Sequence, residues 1–464
     1  MDRLSGGGFQ TLRALLDGPL AGLFGGMHLL PFYYPIDGSD AGFDPIDHTQ
    51  PDPRLGSWSD LRDLIRGKDL MADLIVNHMS TRSPQFEDFR KNGDASRYAD
   101  LFLNYGHVFP KGSTEGDLLQ IHRIRPSLPF TAVMFDDGIE RLLWTTFSSA
   151  QIDINVSSDS GRAYLDQILS QFHEAGVRAI RLDAAGFAIK RAGTSCFMIP
   201  ETFDFISGLT AKAHALGIEV LVEMHGDYED QIQLARRVDW VYDFALPPLV
   251  LHALYSQDAV PLKKWLTISP RNAVTVLDTH DGIGVIDAGG LLSSEEIGNI
   301  VEAIHRRSNS ESRRASGEAA NNLDVSQVNC TFYDALGRQD TEYRIARTLQ
   351  FFSPGVPQVY YVGLLCGTND MELLDRTKEG RDINRHHYTA QEIDLELQRP
   401  VVRALFELIR FRNTHPAFAG DFRLLPCKDH EIAIEWRNNE HWARLNVDLK
   451  AMNSVIDASR EVNS

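Results

Sequence analysis

Seven short, continuously apolar runs, each separated from the next by a stretch of helical spacing, constrain this chain more than any other feature. They are residues 25–32 (GGMHLLPF), 70–78 (LMADLIVNH), 177–184 (VRAIRLDA) and 217–225 (GIEVLVEMH), followed by 238–246 (VDWVYDFAL), 272–281 (NAVTVLDTHD) and 355–363 (GVPQVYYVG). A strand that is apolar on both faces must be covered on both faces. Strands of this kind alternating with helices form a parallel sheet between helical layers. Helical patterns at 161–175, 201–216 and 340–352 supply those layers. The arrangement predicts an α/β fold, a (β/α)8 barrel of the TIM type with its first strand unaccounted for. Residues 8–23 read as a turn and the helix that would follow that strand. Either the chain begins one strand late or its start was assigned at an internal methionine, and the second is the expectation.

Two stretches are too long for ordinary loops. Residues 1–78 and 161–281 then belong to the catalytic barrel, with 79–160 an inserted subdomain between the third and fourth expected strands. Residues 282–342 form a second inserted subdomain, 343–416 close the barrel, and 417–464 form a small C-terminal β domain, marked by alternation at 431–436. The basic run at 306–314 (RRSNSESRR) reads either as a solvated face or as a phosphate contact. The formal charge of −18 argues against a sequence-independent grip on nucleic acid or on an anionic membrane. A neutral substrate suits it better. Cys196, Cys330, Cys366 and Cys427 lie far apart without CxxC spacing, which reads as reduced thiols in a cytoplasm. No apolar run is long enough to span a bilayer, and the start lacks the shape of a signal peptide.

In such barrels the chemistry gathers at the C-terminal ends of the strands. Here those ends read Asn77–His78, Arg181–Leu182–Asp183, Glu223–Met224–His225 and His280–Asp281. A strand period of two places Arg181 beside Asp183, and Glu223 beside His225. Each acid alone reads equally well as a helix N-cap, and Arg181–Asp183 as a structural ion pair. Three acids converging on one face favour a functional reading. A zinc or manganese site competes, but no HExxH or close ligand pair supports it, so no metal is expected. Paired carboxylates are what glycoside chemistry requires, one to attack and one to protonate the leaving group. Asp183, with a cation beside it, suits the attack. Glu223, on an apolar strand, suits the proton transfer, and Asp281 suits sugar hydroxyls and an oxocarbenium-like centre.

DLIVNH (73–78), IRLDAAG (180–186), the Glu of LVEMH (221–225) and VLDTHDG (276–282) resemble the four motifs of the α-amylase superfamily. Within it, DGSDAGFDPIDHT (37–49), AGTSCFM (192–198), VYDFALPPLVLHAL (241–254), GVPQVYYVG and GRDINRHHY (380–388) are similar to the sucrose phosphorylase group of retaining α-glucoside phosphorylases. The resemblance runs from residue 2 to about residue 414. It implies Asp183 as nucleophile, Glu223 as acid/base and Asp281 as transition-state stabiliser. It implies that Asp40, Phe43, His78, Arg181, His280 and Arg381 hold the glucosyl ring, with Phe43 as a stacking platform. Phe147, Gln151, His225, Asp324 and Gln327 would line the side where acceptor and phosphate exchange. The implied reaction moves a glucosyl group from sucrose to inorganic phosphate without a cofactor. The partners are the sugar and phosphate, and a homodimer is left open.

Three positions depart from that pattern: Ser326 and Ile124 where tyrosine and proline are usual, and Phe187 where a tyrosine follows the nucleophile. All three belong to acceptor-side loops. The donor site is therefore expected intact. The acceptor is expected to be fructose, with fructose 6-phosphate, glycerol or glycerate as the sibling alternatives and an α-glucosidase using water as another.

Overall fold

The computed structural model describes residues 7–37, 42–124, 127–317 and 326–460. They form two compact units, one from 7–224 with 237–240 and the other from 225–236 with 241–460.

In the first unit, helix α1 (Phe9–Asp17) precedes β1 (Gly26–Leu29), which pairs in parallel with β2 (Asp69–Ile75). Leu70, Ala72, Leu74 and Ile75 expose no surface, which is why the run is apolar without alternation. Residues 79–160 hold two antiparallel ribbons. β3 (His78–Ser80) pairs with β6 (Gln151–Asp153), and β4 (Phe130–Met134) with β5 (Glu140–Trp144). Phe89 anchors the packing here, stacked on Phe102 at 5.6 Å and edge-on to Phe135 at 4.8 Å. Helix α2 (Asp159–Ala175) starts where the Ser158 hydroxyl accepts the Gly161 N–H and stops at Gly176, in the left-handed region at φ 85°. A Cβ at Gly161 would come within 2.0 Å of Asn155 O, so the turn into α2 admits only glycine. After α2 come β7 (Ala179–Asp183), α3 (Pro200–Ala215) and β8 (Glu219–Val222). β7 lies between β2 and β8, with Ile75 opposite Asp183 and Leu182 opposite Val222.

The second unit carries β9 (Trp240–Asp243) from Val241 onward, α4 (Leu246–Ser256) and β10 (Ala273–Thr275). Next in the chain are β11 (Ile283–Gly284), α5 (Ser294–Arg307) and β12 (Gln327–Val328). α6 (Asp340–Phe352), β13 (Val356–Pro357) and α7 (Pro400–Thr414) follow. β9, β10 and β13 are parallel neighbours, while β11 and β12 form an antiparallel ribbon. An antiparallel sheet of β14 (Asp421–Leu424), β15 (Glu431–Asn438), β16 (His441–Asp448) and β17 (Asn453–Ala458) ends the described chain. In β16, Ala443, Leu445 and Val447 are buried while their neighbours are not, the period-two pattern of a sheet with one wet face.

The seven parallel strands and intervening helices are those of a (β/α)8 barrel of TIM type, with inserted segments and a C-terminal antiparallel sheet. Among the described residues no strand precedes β1. All seven expected strands are present, but each is shorter than its apolar run. β10 spans three residues where ten were expected, because the ladder ends at Thr275 while Val276 and Leu277 stay buried in the loop beyond it. Burial keeps a loop apolar after its strand has ended.

Candidate active site

Arg181 organises the first unit. It is only 2% exposed and sits in β7, so its side chain shares a face with Asp183 two residues on. Its Nη1 lies 2.5 Å from Asp73 Oδ1 and 3.1 Å from Asp183 Oδ1, and its Nη2 lies 2.5 Å from Glu223 Oε1. One guanidinium therefore joins three carboxylates. Strand spacing assigns this cation to Asp183 alone; the structure shares it with Asp73 and Glu223. Burial raises the Asp73 carboxyl, but the charges of His28, at 3.0 Å, and Arg181 outweigh it and hold the group at about 2. Asp73 is thus a fixed anion that pins Arg181.

The turn after Asp183 supplies a second contact. Ala184 adopts φ 55°, and its N–H donates to Glu223 Oε2 at 3.3 Å. Glu223 lies one residue beyond β8, which ends at Val222. The strand-alternation argument that paired Glu223 with His225 therefore does not apply: both residues sit on the loop.

His78 likewise differs from expectation. β2 ends at Ile75, and His78 opens the separate ribbon strand β3, opposite Asp153. The residue still reaches the cluster. His78 Nε2 lies 3.0 Å from Phe43 O and 3.1 Å from Gln151 Nε2, and its ring is 5.0 Å from Phe147. The Arg181 guanidinium lies 5.6 Å from the Phe43 ring centroid. Phe43, His78, Gln151, Arg181, Asp183 and Glu223 are thereby linked in one cluster.

In the second unit, Asp281 Oδ1 receives Arg381 Nη1 at 2.9 Å, and His280 Nε2 lies 3.4 Å from Asp281 Oδ2. The segment after Arg381 clamps the same backbone: Asn384 Nδ2 donates to Asp281 O at 2.7 Å, and Arg385 Nε to His280 O at 2.9 Å. Gln327 opens β12, and its Oε1 accepts the Gly282 N–H at 3.1 Å. His225 stacks on Phe244 at 4.1 Å and places Nδ1 3.0 Å from Asp287 Oδ2. Asp40 and Asp324 lie outside the described residues.

Of the three departures, Phe187 packs into an aromatic group, 5.4 Å from Phe147 and 4.7 Å from Phe197. Together with His122, Ile124 and Lys190, Phe147 and Phe187 line a cavity of about 250 Å³. Ser326 is exposed, and its carbonyl accepts the Val285 N–H at 3.1 Å.

Sequence reading missed His28, Asp73, Lys190 and Asp287. Lys190 is buried; its ammonium pairs with Asp153, lies 2.6 Å from Asn77 Oδ1, and bonds the Phe187 carbonyl. It thereby fastens the loop after β7 to the β3–β6 ribbon. A charged residue inside an apolar run was the available signal for Asp73, within DLIVNH.

Chemically, the first unit offers two carboxylates, Asp183 and Glu223, set by one shared cation and a backbone N–H. Asp73 adds a third carboxylate to the same guanidinium, and a carboxylate beside the reacting carbon is the group that stabilises a cationic transition state. Residues 23–249 match the Alpha-amylase family (alpha amylase, catalytic domain). The chain is 58% identical to the sucrose phosphorylase of Agrobacterium vitis, over 99% of this chain and 96% of that one. It is 50% identical to the sucrose phosphorylase of Bifidobacterium adolescentis, over 97% and 91%. The crystal structure of sucrose 6F-phosphate phosphorylase from Thermoanaerobacter thermosaccharolyticum superposes with a TM-score of 0.92 at 38% identity, covering 99% of this chain and 94% of that one. This chain belongs to the sucrose phosphorylase group of the α-amylase superfamily.

Proposed function

We propose that the protein is a sucrose phosphorylase, which transfers a glucosyl group from sucrose to inorganic phosphate and releases fructose. The double contact of Arg181 with Asp183 and Glu223 carries this reading, and the two named relatives supply the substrate class. Asp183 attacks the anomeric carbon while Glu223 gives its proton to the departing fructosyl oxygen, leaving a β-glucosyl ester on Asp183. Phosphate then attacks the same carbon, Glu223 takes up the proton released, and α-glucose 1-phosphate leaves. Two inversions give net retention, and the steps need no cofactor. Asp281 takes the third role on the strength of its motif, with Asp40, Phe43, His78, His280 and Arg381 holding the glucosyl ring. Gln151, His225, Asp324 and Gln327 serve the acceptor. A cytoplasmic site of action fits the four free thiols, and among the described residues no helix is long and apolar enough to cross a membrane.

A second reading, a sibling phosphorylase for a phosphorylated or glycerol-type acceptor, draws on Ser326, Ile124 and Phe187 and on the sucrose 6F-phosphate phosphorylase fold match. Synthesis from α-glucose 1-phosphate with fructose, fructose 6-phosphate, glycerol and glycerate, run side by side, separates the two. Fructose should give the highest kcat/KM. If Ser326 widens the acceptor pocket, Ser326→Tyr should raise that preference further, within the ten- to hundredfold or so that apolar contacts supply. Fructose ranking below another acceptor would favour the sibling reading, and no product with any of them would refute both.

A further inference from the structure

His28 closes the far end of the charge cluster around Arg181. It lies in β1 as the register partner of Met71, whose side chain shares a face of β2 with Asp73 two residues on. Asp73 is in turn the register partner of Arg181 in β7, so three adjacent strands bring His28, Asp73 and Arg181 to one face. Asp73 exposes no surface, and both of its oxygens are committed: Oδ1 lies 2.5 Å from Arg181 Nη1, and Oδ2 lies 3.0 Å from His28 Nε2. Ionised Asp73 only accepts hydrogen bonds, so His28 Nε2 is the donor. The backbone of Asp73 is held as well, because its carbonyl accepts the Tyr33 hydroxyl at 2.6 Å and His48 Nε2 lies 3.4 Å from the same oxygen. What remains to Asp73 is rotation of its carboxyl group, and the His28 bond opposes that rotation.

We infer that His28 is a positioning residue for glucosyl transfer: its bond to Asp73 keeps Arg181 seated between Asp183 and Glu223. Arg181 Nη1 also lies 3.1 Å from Asp183 Oδ1, and Nη2 lies 2.5 Å from Glu223 Oε1, so a shift of the guanidinium moves the anchor of both carboxylates at once. Without His28 a fully buried carboxylate oxygen loses its donor, at the desolvation cost of an unpaired charged group. Asp73 then either takes up a proton and loses its grip on Arg181, or turns both oxygens toward the guanidinium and draws it away from Asp183 and Glu223. Neither course leaves the pair where it was. The inference rests on the roles given to Asp183 and Glu223 under Proposed function.

Kinetics of sucrose phosphorolysis, run well below each variant's melting temperature, test this. His28→Leu removes the donor, whereas His28→Gln carries an amide N–H as far along the side chain as Nε2. In His28→Leu, kcat should fall about 10²-fold, the size of a roughly 1 Å misplacement, with KM changed less than about threefold. His28→Gln should recover kcat to within about tenfold of wild type, as for one altered hydrogen bond. In the Asp73→Asn background, His28→Leu should lower kcat no further, because a residue acting through another shows no separate effect. If His28→Leu does not fold, His28→Asn takes its place: one methylene shorter, its amide reaches only the Nδ1 position, and it should lose kcat where His28→Gln keeps it. Wild-type kcat in His28→Leu, a loss confined to KM, no recovery in His28→Gln, or a further loss in the Asp73→Asn background would overturn the inference. Phenol release from an activated aryl α-glucoside depends on no particular acceptor. A wild type active on that donor but inactive on sucrose would refute the functional reading, while the same variants assayed on that donor would still decide the role of His28.

Discussion

A guanidinium that reaches Asp73, Asp183 and Glu223 at once leaves the two carboxylates proposed to react little freedom to rotate, and it ties their geometry to a third acid given no role in the proposed chemistry. The roles of the two remain separable by substitution. Asp183→Asn should lower turnover on sucrose by about 10⁴-fold or more, since an amide cannot form the glycosyl ester. Glu223→Gln should largely spare a donor whose leaving group needs no proton, read as burst release of an activated phenol from an aryl glucoside. Near wild-type sucrose turnover by Asp183→Asn would remove the assignment. Asp243 offers a test of stability rather than rate. Burial pushes its carboxyl up to about 7 against hydrogen bonds from the Trp265 indole and the Leu246 N–H, and the charge of Asp287 adds to the rise. Between about pH 4 and pH 7 the unfolded chain loses this proton while the folded chain keeps it, so stability falls as pH rises through that window, by about 4 kcal/mol in total. Asp243→Asn keeps the accepting oxygen and cannot ionise. Its Tm relative to wild type should therefore be higher at about pH 8 than at about pH 5, and a constant difference would contradict the shift. Asp183 and Glu223 were legible in the sequence because each closes an apolar run. Asp73 showed only as a charge inside an apolar run and Asp287 not at all, because the partner that gives each its meaning lies far away in the chain, 108 residues for Asp73 and 62 for Asp287.

Helices and strands were legible to different degrees. α6 matches its predicted span residue for residue, since amphipathic spacing acts locally, as capping does at the start of α5, where Ser293 and Glu296 form a capping box. Strand existence was equally plain, but strand ends were not. Apolarity reports burial, and Met224, Val276 and Leu277 stay buried beyond the last residue of the strands before them. Where elements meet, glycine marks positions that no periodicity reveals. A Cβ at Gly363 would lie 1.9 Å from Asp278 Oδ2 and 2.1 Å from Arg347 Nη2. Those two groups form a buried ion pair at 2.5 Å, in which Tyr343 also bonds the arginine. Gly363→Ala should separate the pair and lower stability by about 3–5 kcal/mol, the usual cost of breaking a buried ion pair. Denaturant unfolding checks this, and a change below about 1 kcal/mol would mean that the pair can shift aside.

At the scale of the whole molecule, a chain of net charge −18 handles a neutral disaccharide and a phosphate anion. Diffuse surface charge therefore does not attract the phosphate, and local cations must hold it. The fold class was readable from strand order, and the acids proposed for catalysis stand at or just beyond strand ends, whereas Ser326, Ile124 and Phe187 lie outside the strands, where no periodic pattern acts. The central claim is retaining glucosyl transfer from sucrose to phosphate through Asp183. It is tested most directly by incubating the purified protein with sucrose and inorganic phosphate and following phosphorus and anomeric-proton NMR. The predicted result is equal accumulation of fructose and the α-anomer of glucose 1-phosphate, dependent on phosphate and lost in Asp183→Asn. Free glucose released regardless of phosphate, a β-anomeric product, or sucrose left intact would contradict it.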